Sequence, residues 1–484
     1  MSAPGVKLLS STLVIRNAFT RLPFRFGAVT MEAAATGILQ LEVEFADKSR
    51  STGVASDILA YKWFDKDPAK TPADNVADLL RALRVARDIY QQMPAATPYD
   101  LWNVAHKEIE RAVLALGLNR LIASFASSML ERAVIDAVGR HLGLSFDQML
   151  RKNALGLRPE TIFPAIRFTD ILAALPDRPA TQIALRHTVG MLDPLTDAQL
   201  DGDSPDDGLP VSLESYIRTD ELGYLKIKLG GDQPADIARL GEIADVVKAL
   251  GRPIQVTLDG NEQYQSIDDF AAVIDDIRAI PALDALYQSI LFIEQPLHRD
   301  VAMNAPISTA AKAAIGRPLL IDEADGWTTA FSDAINLGYE GVSHKNCKGV
   351  YRSLLNAALA DQRNKADGHV HYFQSAEDLT DLAVVPLQAD LAMIASLGIP
   401  HVERNGHHYF VGLVHLPAAE QAGALLHHGD LYENVGGLAR LRIARGNLEI
   451  GSLQVPGFGV VDHPDLTDAI AEADWRFSML ETKP

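Results

Sequence analysis

Two kinds of hydrophobic pattern divide the chain. In the first third, residues 8–16 and 37–45 carry apolar positions typical of strands. From about residue 73 to 150, apolar residues recur at helical spacing. After Pro179, short apolar runs alternate with helical patterns. The pattern therefore predicts a strand-then-helix region, followed by a region of repeated strand–helix units.

The repeated region contains eight apolar runs that are typical of strands. In chain order they are QIALRHTVG, YLKIKLGG, PIQVTLDGN, LFIEQPL, PLLIDEA, GVSHKN, HVHYFQS and PHVERN. Eight strand–helix units over roughly 250 residues predict a (β/α)₈ barrel.

Three segments fall outside the alternating pattern. Residues 191–215 are acidic and rich in turn formers, so we predict a loop inserted after the first barrel strand. Residues 21–30, RLPFRFGAVT, are predicted to form a turn-rich loop with exposed aromatic side chains. The tail from about residue 431 is strand-like and is predicted to pack back on the first region.

Composition excludes several classes of function. The 484 residues contain 44 Lys and Arg but 63 Asp and Glu, for a net charge of −19, so binding to nucleic acid or to anionic membranes is not expected. No apolar segment has the length of a signal peptide or a transmembrane helix, and we expect a cytoplasmic protein. Cys347 is the single cysteine, which excludes internal disulfides and cysteine-based zinc clusters.

Charged residues stand where five successive barrel strands end. The carboxyl ends of the strands surround one mouth of a barrel, so residues distant in sequence converge there. We therefore expect one site built from five side chains: Lys228, Asp259, Glu294, Asp322 and Lys345.

The types of these five residues indicate a particular chemistry. Three carboxylates on adjacent strands provide the hard oxygen ligands that Mg²⁺ or Mn²⁺ prefers. Without a cation they would repel one another. Lys228 and Lys345 flank the carboxylates, and a lysine on each side of a bound substrate can act as a pair of acid/base groups.

Lys226 lies two residues before Lys228 on the second barrel strand. Residues two apart on a strand point to the same face, so both lysines should point into the barrel. A neighbouring ammonium group disfavours the charged form of a lysine, as a base requires. We therefore predict that Lys228 is the base and that Lys226 tunes it.

Further candidates surround the predicted end of the seventh strand. His371, Ser375 and Glu377 are candidate contacts for the distal part of a substrate.

The set KIK, DGN, EQP, DEA and a final lysine resembles the enolase superfamily, specifically its muconate lactonizing enzyme-like subgroup (the mandelate racemase/muconate lactonizing enzyme family). This resemblance implies the α/β class, with a modified TIM barrel, (β/α)₇β, and an α+β capping domain built from the N-terminal region and the C-terminal tail. We expect a capping domain at 1–178, a catalytic barrel at 179–430, and a C-terminal segment at 431–484 that packs on the cap.

The resemblance also implies roles for the residues. Mg²⁺ would bind to three carboxylates, and two lysines would be the acid/base pair, with Asn261 and Lys226 in support. The expected reaction removes a proton α to the carboxylate of a small molecule and gives a metal-stabilised enediolate. A homo-oligomer is expected as well. The implied ligands are Asp259, Glu294 and Asp322, and the implied acid/base pair is Lys228 and Lys345.

Two assignments stay open at this point. Only Gly349 follows the late lysines, where the family has a glycine pair, so Lys348 competes with Lys345, which matches the family position better. Glu323 follows Asp322 directly, and the family uses the first residue of this pair.

The reaction after proton removal also stays open. An isomerase that racemises or epimerises an amino-acid derivative or dipeptide is favoured. The alternatives are a cycloisomerase or a lyase, as in muconate lactonizing enzyme and o-succinylbenzoate synthase, an acid-sugar dehydratase, or a barrel that only binds. The lysine at the sixth strand argues against the acid-sugar dehydratase.

Overall fold

The first three strands of the chain lie in one antiparallel sheet. The computed structural model describes residues 3–26 and 29–481. Strands β1 (Val6–Phe26) and β2 (Val29–Phe45) form a long hairpin, and β3 (Arg50–Ile58) pairs with β2. Apolar side chains of all three strands contribute to one core.

The loop predicted at 21–30 is wrong for the described residues. Residues 21–26 continue β1 and residues 29–30 begin β2, while Gly27 and Ala28 lie outside the described residues. Phe24 pairs with Met31 and is buried rather than exposed. The strand register shifts between Phe19 and Phe24, which accommodates Pro23, a residue without an N–H for the ladder.

Helices α1 (Pro72–Gln92) and α3 (Arg120–Leu142) pack on this sheet, and α2 (Pro98–Ala115) packs on both of them. Helix α4 (Phe146–Arg151) packs on α3, and α5 (Phe168–Ala174) packs on a helix of the barrel region. Helices α1 and α2 start with proline after a threonine N-cap, the position where proline loses no helical hydrogen bond. Helix α3 is buried over nearly its whole length, because it packs on the sheet and also touches the barrel.

Eight parallel strands form a closed barrel in chain order, which confirms the predicted fold class. The last strand pairs with the first, at His401 and Ala184. The strands are β4 (Gln182–Val189), β5 (Tyr224–Lys228), β6 (Gln255–Asp259), β7 (Ile290–Glu294), β8 (Leu319–Ile321), β9 (Gly341–His344), β10 (Phe373–Ala376) and β11 (His401–Arg404).

Helices connect these strands and surround the barrel. They are α6 (Leu213–Thr219), α7 (Gln233–Leu250), α8 (Ile267–Ala279), α9 (Asp284–Gln288), α10 (Arg299–Ala302), α11 (Thr309–Ile315), α12 (Ala330–Leu337), α13 (Val350–Asp367), α14 (Val385–Leu397), α15 (Gly406–Tyr409) and α16 (Ala418–His427). Among the described residues, no helix is both long enough and apolar enough to span a membrane.

The C-terminal segment contacts both regions. Strands β12 (Tyr432–Val435) and β13 (Leu438–Leu441) form a separate hairpin, and β14 (Asn447–Glu449) pairs with barrel strand β4. Strand β15 (Ile470–Ala471) pairs with β1 of the N-terminal sheet. The domain boundaries at 178 and 430 stay a prediction.

Candidate active site at the barrel mouth

The five predicted residues meet at one end of the barrel. Strands β5, β6 and β7 end at Lys228, Asp259 and Glu294, which are neighbours in the strand register. Asp322 follows β8 directly, and Lys345 follows β9 directly. All five side chains are buried.

A pocket of about 40 Å³ opens between this mouth and the N-terminal region. Its walls differ in chemistry. The N-terminal wall is apolar and aromatic, and comprises Phe24, Met31, Ile58, Ala60, Tyr61 and Trp63. The barrel wall is mainly polar, and comprises Lys228, Asp259, Asn261, Asp322, Lys345, Asp378, Leu379, Thr380, Glu403 and Asn405.

On one side of the pocket, Asp259 lies between two lysines. Its Oδ2 is 2.6 Å from Lys228 Nζ and 3.1 Å from Lys226 Nζ. Burial would raise the pKa of Asp259, but the two ammonium groups outweigh burial and lower it.

Lys226 is held by four carboxylates at once. Besides Asp259, its Nζ lies 2.6 Å from Glu294, 2.8 Å from Glu377 and 2.9 Å from Glu403. Burial opposes the charge, but the carboxylates prevail and raise the pKa of Lys226 well above its ordinary value. Lys226 is therefore a fixed cation inside the barrel.

On the other side of the pocket, Asp322 also contacts two lysines. Its carboxylate lies 2.6 Å from Lys345 Nζ and 3.2 Å from Lys348 Nζ, and it accepts a hydrogen bond from Ser343. Despite burial, the two ammonium groups hold the pKa of Asp322 well below its usual range. Burial alone would lower the pKa of Lys345, but Asp322 and Glu294 raise it.

The structure distinguishes the two late lysines. Lys345 lines the pocket, and its Nζ is 4.6 Å from the centre of the Trp63 ring, within the range of a cation–π contact. Lys348 lies outside the pocket lining, where it donates to Ser343 at 2.6 Å and pairs with Asp325 at 3.3 Å. Lys345 is thus the late lysine that lines the pocket.

The structure also distinguishes the two adjacent acids, Asp322 and Glu323. Asp322 lines the barrel-mouth pocket, whereas Glu323 lines a different surface depression together with Arg299. Burial and the nearby Glu262 raise the pKa of Glu323 to about 7.

Glu294 is the member of the carboxylate set with unsatisfied oxygens. Lys226 Nζ lies 2.6 Å from one oxygen, yet neither oxygen accepts a hydrogen bond of good geometry from any described residue. Burial, with Asp259 and Glu377 nearby, raises the pKa of Glu294 well above the ordinary value. Buried polar atoms without hydrogen bonds are rare, so these oxygens are candidates for a further ligand.

The carboxylates fit a divalent cation by their chemistry, although their present arrangement is not a finished cage. No three His, Cys, Asp or Glu side chains of the described residues converge as a metal site. Lysine ammonium groups occupy the space beside the carboxylates instead. Three hard oxygen donors on adjacent strands, one of them unsatisfied, still match Mg²⁺.

Asn261 follows the end of β6 and lines the pocket. Its backbone has φ of 44°, and its N–H donates to Asp259 Oδ1 at 2.8 Å, so the turn orients the Asp259 carboxylate. Its side-chain oxygen has no hydrogen-bond partner among the described residues and is available to a ligand.

The three predicted substrate contacts do not line the pocket. His371 precedes β10, at the end of the barrel away from the mouth, and its Nε2 is 3.9 Å from Glu340. The sequence predicts His371 near the strand end, but β10 begins only at Phe373. Ser375 and Glu377 point into the barrel interior, where Ser375 Oγ donates to Glu377 at 2.5 Å.

Sequence reasoning missed a second set of charged residues inside the barrel. Arg186 of β4 pairs with Glu377 and donates to Ala376 O at 2.9 Å. Glu403 of β11 accepts hydrogen bonds from Thr188 at 2.7 Å and from the Asp378 N–H at 2.9 Å. The available signal was a charged residue within a short apolar run, the same signal that identified Lys226.

Comparisons with known proteins agree on the fold. No family model matches the chain, and no curated protein sequence matches it. A dipeptide epimerase from Enterococcus faecalis V583, solved with Mg and the dipeptide L-Leu-L-Tyr, is 15% identical over 94% of this chain and 100% of its own, with a TM-score of 0.59.

Two further solved structures match along nearly their whole length. A muconate lactonizing enzyme from Pseudomonas fluorescens, complexed with muconolactone, is 16% identical over 94% of this chain and 97% of its own, with a TM-score of 0.57. The L-Ala-D/L-Glu epimerase from Bacillus subtilis is 16% identical over 94% of this chain and 99% of its own, with a TM-score of 0.56. The chain thus has the capped-barrel fold of the enolase superfamily, as its motifs predict.

Proposed function

We propose that the protein is an enolase-superfamily enzyme that removes a proton α to the carboxylate of a small molecule. The observation that carries the proposal is the position of Lys228 and Lys345 at opposite sides of one pocket. Lys228 ends strand β5 and Lys345 follows strand β9, and these strands lie four apart in the eight-stranded barrel. Asp259, Glu294 and Asp322 lie on the strand ends between them.

The two lysines would act on opposite faces of the substrate carbon. Lys228 Nζ would accept the α-proton in its neutral form, and Lys345 Nζ would deliver a proton to the other face. In the described arrangement each ammonium group is engaged by a carboxylate, Asp259 for Lys228 and Asp322 for Lys345. Proton transfer therefore requires that these two carboxylates have another positive partner.

Mg²⁺, or Mn²⁺, is the partner that we propose for Asp259, Glu294 and Asp322, and when bound it would neutralise their charge and polarise the substrate carboxylate. The fixed ammonium group of Lys226 would add positive charge beside Asp259 and Glu294. Both effects favour the enediolate that results when the substrate loses its α-proton.

The pocket walls suggest how the rest of the substrate is held. Phe24, Met31, Ile58 and Trp63 would exclude water and contact an apolar part of the substrate. A dipeptide or an N-acylated amino acid carries both a carboxylate and an apolar part, so racemisation or epimerisation of such a compound is favoured. Cytoplasmic location and homo-oligomerisation stay predictions.

Other reactions share the first step. Cycloisomerisation, or dehydration of the o-succinylbenzoate synthase type, also begins with removal of an α-proton, and solved structures of similar fold include a muconate lactonizing enzyme. A dehydratase of acid sugars is disfavoured, because a lysine rather than a histidine stands at the sixth strand end. A barrel that only binds small molecules would keep the pocket without any proton exchange.

The test is exchange of the α-proton. The protein is incubated with Mg²⁺ in D₂O against separate pools of dipeptides, N-acylamino acids, muconates and acid sugars, and deuterium uptake is read by mass spectrometry. We expect uptake in the dipeptide or N-acylamino acid pool. Uptake in the muconate pool would select the cycloisomerase. No uptake in any pool, with Mg²⁺ binding shown by calorimetry, would support a barrel that only binds.

A further inference from the structure

A second cavity lies behind one wall of the barrel-mouth pocket. Two chain segments, residues 378–383 and 403–407, form this wall. Residues 378–380 line the barrel-mouth pocket, whereas residues 381–383 line the second cavity. In the other segment, Glu403 and Asn405 face the pocket, while Arg404, Gly406 and His407 face the second cavity.

This second cavity, here called the side cavity, is larger than the pocket, at about 80 Å³. Its other walls come from the region before and within α6 and from the β12–β13 hairpin. None of the five charged residues that define the candidate active site lines it. Its ligand would therefore bind apart from the proposed reaction.

Polar groups that line the side cavity lack partners within the described residues. The hydroxyl of Tyr216, a side chain with 1% exposure, has no hydrogen-bond partner, and neither has Nδ1 of His407. The carboxyl group of Asp220 lines the same space without a hydrogen bond or ion pair to any described side chain. Asp220 is half-buried, whereas Tyr216 is almost fully buried. Buried polar groups without partners are rare in folded proteins, so the Tyr216 hydroxyl in this cavity indicates a ligand.

The Asp220 carboxyl group is short of positive charge. Burial raises its pKa to about 6, an effect that Arg440 only partly offsets and that Glu433 reinforces. Arg440 pairs with Glu433 at 2.8 Å and is not free to neutralise a second acid.

Around Arg404, which also lines the side cavity, acidic residues again outnumber basic ones. Arg404 is shared among Asp390 at 2.6 Å, Asp378 at 3.2 Å and Asp381 at 3.6 Å. A carboxylate ligand in this cavity would thus compete with three carboxylates for Arg404. A cationic ligand could instead pair with the carboxyl group of Asp220.

The rest of the lining is apolar. Leu209, Leu382, Leu387, Leu413, Leu441 and Ile443 all contribute to it. We propose that the side cavity binds a small primary amine, with its ammonium group on Asp220 and its alkyl chain against these leucine side chains.

The probe is n-butylammonium chloride, with butanoate and 1-butanol as matched probes of the same length. Binding is measured by calorimetry and by ligand-observed saturation-transfer NMR on the full chain. We expect n-butylammonium to bind at least about tenfold more tightly than either matched probe, because a hydrogen bond to a charged group is the stronger kind.

Three variants locate the site. Asp220→Asn removes the charge and should weaken n-butylammonium at least about tenfold. Leu441→Trp, in the β12–β13 hairpin, fills the side cavity and should abolish amine binding. Because Leu441 is only half-buried, this variant should fold even if Asp220→Asn folds poorly. Lys228→Met changes the barrel-mouth pocket and should leave amine binding as it is in the unaltered protein.

Several results would overturn the proposal. They are absence of n-butylammonium binding, equal binding of butanoate or 1-butanol, and unchanged amine affinity in Asp220→Asn. Loss of binding in Lys228→Met with retention in Leu441→Trp would place the amine in the barrel-mouth pocket instead.

Discussion

The barrel interior has two charged halves that use the same residue types differently. On strands β5 to β9, Lys228, Asp259 and Lys345 border the pocket, where a ligand can reach them. On strands β10 and β4, Glu377 and Arg186 have no exposed surface and pair with each other. Because of their proposed roles, the first is called here the reactive half and the second the supporting half.

Lys226 connects the two halves. Its ammonium group contacts Asp259 and Glu294 on the reactive side, and Glu377 and Glu403 on the supporting side. The two lysines of β5 thus differ in their neighbours: Lys226 contacts four carboxylates, whereas Lys228 contacts Asp259 and lines the pocket.

The largest expected effect belongs to the reactive half. Lys228→Met and Lys345→Met should each lower the rate of α-proton exchange by roughly 10²- to 10⁴-fold, the usual contribution of an acid/base group. With separate enantiomers of a substrate, each variant should lose exchange from one enantiomer only, because the lysines face opposite sides. Mass spectrometry in D₂O measures this loss, and unchanged circular dichroism shows that the barrel is folded. Full exchange in both variants would contradict the two-lysine mechanism.

The next effect belongs to the supporting half. Glu377→Ala leaves Arg186 buried without its carboxylate and should lower the free energy of unfolding by about 3–5 kcal/mol. The matched control is Arg186→Met combined with Glu377→Leu, which removes both charges and should restore most of the lost stability. Urea unfolding measures both, and a single variant as stable as the unaltered protein would show that the pair is dispensable.

Added Mg²⁺ should act through the reactive half alone. It should stabilise the protein by about 2.7 kcal/mol at a free concentration of 100 times its Kd. Asp259→Asn should remove most of this gain, whereas Asp220→Asn, in the side cavity, should keep it. Thermal unfolding with and without EDTA measures the gain. Equal stabilisation of both variants would place the cation elsewhere.

The smallest effect is expected at the apolar wall. Trp63→Phe weakens the cation–π contact with Lys345 and should lower kcat/KM a few-fold, corresponding to about 0.5–1 kcal/mol. Tyr61→Phe is the matched control, since it keeps the ring and should change kcat/KM less. Steady-state kinetics on the substrate that exchanges its proton compares the two. If kcat/KM falls more in Tyr61→Phe than in Trp63→Phe, the Tyr61 hydroxyl rather than the Trp63 ring is the important contact.

The reactive half was predictable from the sequence because its signal is local. On β6, β7 and β8 the first charged residue of the apolar run stands at the strand end or directly after it, so Asp259, Glu294 and Asp322 could be placed without a structure. The choice between Lys345 and Lys348 needed coordinates. They are three positions apart, and only the fold shows which one lines the pocket.

The supporting half was not predictable in the same way. Arg186 and Glu403 lie within their strands, where a charge usually argues against burial, and their partners are on other strands. His371 was misplaced because HVHYF alternates like a strand before β10 begins. The strand pairing of residues 21–26 was missed because Pro23 suggests a turn, whereas β1 continues through this segment and pairs Phe24 with Met31 of β2.

The pairing of β1 with β15 has a consequence for the order of synthesis. Val14 and Ala471 are neighbours in one sheet, yet the ribosome makes the whole barrel between them. Since chains emerge from the amino end and fold as they emerge, this part of the β1 edge stays uncovered until residues 470–471 have been made. During that interval Val14 and Ile15 are open to strand pairing with other chains, and pairing with β15 then closes this position.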